Sequence, residues 1–130
     1  MTSRRQTLFL LALGVFLGVA IWLFSPGLTG RVEPWDTDTP IWLYSWVLVA
    51  VLGGVTGRVR GVGLPLGYAL GQMLVTIKPA LFGDFRMLAL GWLFIVHYAA
   101  VAIAATLTVA GVTALLKRLW HRRSSKNNDA

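Results

Sequence analysis

The residues able to do chemistry are few in this chain, and they lie far apart. Its two histidines are His97 and His121, its five carboxylates are Glu33, Asp36, Asp38, Asp84 and Asp129, and it has no cysteine. Without cysteine there is no disulfide, no thiolate nucleophile and no thiolate-ligated metal. Hydrolysis by acid–base or metal chemistry needs several such groups to converge, or a nucleophile beside a base. The spacing here offers neither, so the chain reads as a non-enzyme with no cofactor.

Two constellations remain. His97 stands well inside an apolar run, where an ionisable side chain is a functional candidate by default. Gln72 falls at a matching depth in the preceding run, so a His97–Gln72 hydrogen bond is expected. Such a pair can be structural glue between helices, or it can line a path for protons or substrate. The second constellation is Glu33, Asp36 and Asp38 around Trp35. Three carboxylates can hold a hard cation such as Ca²⁺, but this spacing matches no calcium loop. It reads instead as solvated loop charge, or as an acidic-aromatic face for a periplasmic partner. Lys78 and Arg86 flanking Asp84 are explained by a snorkelling lysine and a local ion pair.

The elements that must position these residues follow from the charge distribution. Of 130 residues, 56% are hydrophobic and 13% are charged, and the mean hydropathy is +0.68. Soluble domains carry about 25% charge. No Asp, Glu, Lys or Arg occurs in 6–30, 39–57, 61–77 or 87–116. Apolar runs of about 17–25 residues match a hydrocarbon core of about 30 Å. The expected fold is therefore all-α: a polytopic transmembrane four-helix bundle with spans at about 7–24, 40–57, 62–78 and 87–117. Residues 1–123 form a single integral membrane domain, and 124–130 read as a disordered cytoplasmic tail. Ser3-Arg4-Arg5-Gln6-Thr7-Leu8 partly matches a twin-arginine signal. The apolar run behind it is longer than the roughly 7–15 residues of a cleavable one, so an uncleaved first helix is expected.

Orientation follows from the basic residues. Arg4, Arg5, Arg58, Arg60, Lys117, Arg118, Arg122, Arg123 and Lys126 fall on one side of the four spans, and Arg31, Lys78 and Arg86 on the other. The positive-inside rule places both termini in the cytoplasm, most simply of a bacterial inner membrane. Trp22, Trp35, Trp42, Trp46 and Trp92 then map to the outer interface, where tryptophan belts collect. Arg58, Arg60, Lys117, Arg118, Arg122 and Arg123 meet lipid headgroups at the inner face. The net charge of +7 is thus topology and lipid contact, and no nucleic-acid partner is implied.

Membrane helices associate through close packing and polar contacts, because apolar side chains gain little by leaving lipid. Gly14 and Gly18, Gly53 and Gly57, Gly63, Gly67 and Gly71, and Ala100 and Ala104 each recur four apart on one helix face. They can pack the bundle internally or line a face for a partner. The leading functional expectation is a non-catalytic accessory or scaffold subunit of a larger membrane complex. The alternative is a small self-associating channel or transporter with His97 and Gln72 near the path.

Overall fold

The computed structural model describes residues 3–31, 33–36, 38–81 and 85–128. Asp84 and Asp129 lie outside that set, as do the surroundings of Gly57 and the side chains of Arg58, Lys78, Arg86, Arg123 and Lys126. The described chain is all-helical: α1 (Ser3–Thr29), α2 (Ile41–Gly57), a short 3₁₀ turn η1 (Arg58–Val62), α3 (Gly63–Leu81) and α4 (Phe85–Asn128). No strand occurs among the described residues. Two helices, α1 and α4, are long and apolar enough to cross a membrane, and α2 is a shorter apolar helix.

Several boundaries differ from the sequence reading. Helix α1 runs through Pro26 to Thr29 instead of ending near residue 24. Proline removes one ladder donor, but only the last turn lies beyond it, and that turn has its own closures. Gly30 adopts φ 71°, the left-handed geometry of a helix C-terminus, and its N–H donates to the Pro26 carbonyl at 3.1 Å. The Thr29 hydroxyl donates to the Ser25 carbonyl at 2.8 Å, and the buried Ser25 hydroxyl donates to the Arg31 carbonyl at 2.9 Å. Helix α3 similarly continues past Pro79 to Leu81. Helix α4 has 44 residues, about 66 Å at 1.5 Å per residue, and its backbone carries the segment read as a disordered tail as far as Asn128.

The packing order is set by backbone proximity. Helix α3 is central: it packs most extensively on α1 and also on α4, while α2 lies chiefly against α4 and α1 barely touches α2. The α1–α3 contact is made by glycines from both sides. A Cβ on Gly14 would overlap the Leu64 carbonyl oxygen, and one on Gly18 the Tyr68 carbonyl oxygen. In the other direction, Cβ atoms on Gly67 and Gly71 would overlap the carbonyls of Leu11 and Val15. The two backbones therefore run in contact, with no side chain between them. Gly63 lies at the start of the same seam, 3.2 Å from the Thr7 carbonyl if given a Cβ. Gly53 is used differently: it meets Gly61 where η1 folds back and the Thr106 methyl on α4.

The interior combines aromatic, aliphatic and small residues with a few buried polar groups, and large apolar side chains also cover the outside. Gln72, Thr76 and Thr106 are buried, while Phe16, Leu23, Phe24, Leu93 and Leu116 are each at least 60% exposed. The buried ladder on α4 is Gly91, Ile95, Ala99, Ala102, Thr106 and Ala110, spaced by three or four as one helix face requires. Thr106 ties this face to α2 through a 3.1 Å hydrogen bond to the Ala50 carbonyl. Ala100 and Ala104, expected to pack, are exposed. Ala100 sits one step of about 100° from buried Ala99, and Ala104 two steps of about 100° from buried Ala102 and Thr106, which turns both out of the seam.

Candidate functional site

The densest arrangement of functional groups is an aromatic–polar cluster at the end of the bundle that carries the 30–40 loop. Trp42 and Trp46, one turn apart on α2, point inward onto α3 and α4 and are 6% and 2% exposed. Trp46 meets Tyr68 of α3 edge-on at 4.7 Å between ring centroids, and Trp42 meets Tyr98 of α4 at 4.5 Å. Trp35 from the loop contacts Trp42 at 5.9 Å and Trp22 of α1 at 4.9 Å, again edge-on. Edge-to-face pairs add about 0.5–1.5 kcal/mol each beyond burial. All four helices and the loop therefore meet through aromatic rings. Trp35 reaches this position because Gly91 on α4 has no side chain: a Cβ there would lie 3.1 Å from the indole.

Polar groups are threaded through the rings. Trp42 Nε1 donates to Gln72 Oε1 at 2.8 Å, and the Ser45 hydroxyl donates to the Trp42 carbonyl at 2.6 Å while lying 2.5 Å from the Tyr68 hydroxyl. Trp92, 38% exposed, donates through Nε1 to the buried Thr76 hydroxyl at 3.0 Å. Trp22 Nε1, Trp46 Nε1 and Gln72 Nε2 are buried with no partner among the described residues. A buried unpaired donor costs about 1–3 kcal/mol, so packing of the rings carries this cluster.

The expected His97–Gln72 pair is not formed. Gln72 is fully buried and its oxygen is taken by Trp42, whereas His97 is exposed and pairs edge-to-face with Tyr98, at 5.6 Å between centroids. The reason is angular. Ile95 and Ala99 face the core, and His97 lies about 200° around the helix from each. Of the tryptophans expected at the outer interface, Trp22, Trp42 and Trp46 are buried within the bundle, and Trp35 is half-buried. The signal available in the sequence was the spacing by four of Trp42 and Trp46 facing that of Tyr68, Gln72 and Thr76. Nothing in one sequence says that these two faces meet.

The remaining candidates are at the surface. Asp36 and Arg31 form a 3.8 Å ion pair with both side chains 66% exposed, a geometry worth little in water. Asp36 and Asp38 line a polar surface cleft with Thr29 and Trp35. Among the described residues no three histidines or carboxylates converge. Arg60 is exposed on η1, and Lys117, Arg118, His121 and Arg122 are exposed on the final turns of α4. Compared with protein-family models, curated proteins and solved structures, the chain has no significant match to any.

Proposed function

We propose that this chain is a bacterial inner-membrane protein, that its four helices cross the bilayer with both termini in the cytoplasm, and that it is a non-catalytic accessory subunit of a larger membrane assembly. Large apolar side chains exposed on all four helices support a lipid surround, since a soluble monomer rarely shows continuous apolar patches beyond a few hundred Å². Helices α2 and α3, with 17 and 19 residues, rise about 26 and 29 Å, against a core of about 30 Å. Arg60 on η1 and Arg4, Arg5, Lys117 and Arg118 at the termini gather at one end of that bundle, as the positive-inside rule asks.

The observation that carries the subunit reading is the exposure of His97. It projects from the outer face of α4 in the middle of an uncharged run. Ionisable side chains within membrane spans almost always face protein or a water-filled cavity. On the same stretch Ala100 and Ala104 are exposed and leave a shallow surface that another helix can approach closely. A partner helix seated there covers His97, whereas the chain's own glycine seam is already consumed between α1 and α3. Gln72, sealed against Trp42, has no access to a path, which weighs against the channel reading.

A photo-crosslinking residue at position 100 or 104, in cells, tests this directly. The expected result is an adduct with one other membrane protein, lost when His97→Leu is added and absent from the control position Phe16 on α1. Adducts with a second copy of this chain would favour the homo-oligomeric channel or transporter instead. Lipid adducts alone, as at position 16, would overturn the subunit reading.

A further inference from the structure

The opposite end of the molecule holds a cleft of about 520 Å³ between η1 and the second half of α4. One half is apolar, with Val59 from η1 and Leu107, Gly111 and Ala114 from α4, and the other half is polar, with the cationic Lys117 and Arg118 and with His121. These α4 positions recur at three and four, so they share a face, and from Gly111 to His121 the helix rises about 15 Å. The cleft thus passes from apolar to cationic along the helix axis.

Two further observations bear on what fills it. A Cβ built on Gly111 meets nothing within 4 Å, unlike Gly14, Gly18, Gly53, Gly67 and Gly71, so internal packing does not require glycine here. Among the described residues, no carboxylate compensates the positive charge. The described carboxylates, Glu33, Asp36 and Asp38, lie in the loop before α2, while the cleft borders η1 at the far end of that helix. Neither Lys117 nor Arg118 is paired with a carboxylate among the described residues.

We propose that this cleft binds one anionic phospholipid. Its phosphate sits among Lys117, Arg118 and His121, and an acyl chain lies along Gly111 and Ala114 against Val59. The order of the lining, apolar toward the span and cationic toward the terminus, matches such a lipid standing in the inner leaflet. The assignment rests on the reading that α4 crosses the membrane.

The test uses the full-length chain, extracted in mild detergent from membranes first washed at alkaline pH. Release of the chain by the wash would overturn the membrane reading itself, before any lipid is added. Lipid adducts are then counted by native mass spectrometry during titration with phosphatidylglycerol or phosphatidylcholine. The expected result is a preference for phosphatidylglycerol of about 25-fold, reduced by about fivefold for each charge removed in Lys117→Gln and Arg118→Gln. Gly111→Phe, or Ala114→Phe as the second variant, abolishes the same preference with all charges intact, and millimolar inorganic phosphate does not compete. Loss in the charge variants but not in either Phe variant would mean diffuse surface attraction without a cleft. Displacement by inorganic phosphate would make this a free-anion site, and equal binding of both lipids would overturn the proposal outright.

Discussion

Gly67→Val is expected to cost about 3 kcal/mol or more and to abolish the compact detergent-solubilised form. The atoms that a side chain on Gly67 would meet are the Leu11 carbonyl and the Val15 backbone nitrogen. Overpacking of a core usually costs about 1–3 kcal/mol because side chains can shift aside. Here the obstacle is backbone, so α1 and α3 must separate along the whole seam from Gly14 to Gly18 and from Leu64 to Gln72. Gly18→Val should behave alike, since its side chain would overlap the Tyr68 carbonyl. Gly27→Ala and Gly111→Ala are the controls: a Cβ at either meets nothing, and replacing glycine within a helix gains about 0.5–1 kcal/mol. Size-exclusion profiles and denaturation midpoints in one detergent read the difference. A Gly67→Val protein as stable as Gly111→Ala would show that the two backbones do not touch.

The second large effect is at Trp46. It is 2% exposed and contacts three aromatic rings: Tyr68, Trp42 at 6.1 Å and Tyr98 at 6.4 Å. Truncation of a buried Trp to Ala costs about 3–5 kcal/mol in water-soluble cores. On the membrane location proposed above, the unfolded reference already sits in an apolar solvent, so the transfer part shrinks and the lost contacts and cavity remain. Trp46→Ala is therefore expected near the lower end, about 3 kcal/mol, by equilibrium denaturation. Trp120→Ala is expected within about 0.5 kcal/mol, because Trp120 is 76% exposed. Equal effects at the two sites would return both tryptophans to the role of interfacial anchors.

These two sites also mark how far the sequence could be read. The helical class was legible because charge is excluded in blocks, and such blocks admit few structures other than long apolar helices. The glycines announced close packing by their spacing, and the seam between α1 and α3 uses Gly14, Gly18, Gly67 and Gly71. Which helix each glycine meets depends on tertiary order, which spacing does not encode. The same gap explains the errors on α4. Small residues occur at 99, 100, 102, 104 and 105, so the pattern permits several faces. The buried face is fixed by Ile95 and Thr106, which dock onto α2 and α3. That rotation turned His97 outward and left Gln72 to Trp42. That the tryptophans pack into the bundle was not legible, since the same amphipathic ring suits a lipid interface and a buried hydrogen-bonded cluster equally well.

Whether another protein covers the outer face of α4, as proposed, can be read by native mass spectrometry of the tagged chain. The chain is extracted in mild detergent from its own host's membranes, alone and as His97→Leu. The expected result is a stoichiometric complex with a different membrane protein, which dissociates in the variant while the chain itself stays folded. A chain that runs only as a monomer, with or without bound lipid, would contradict it.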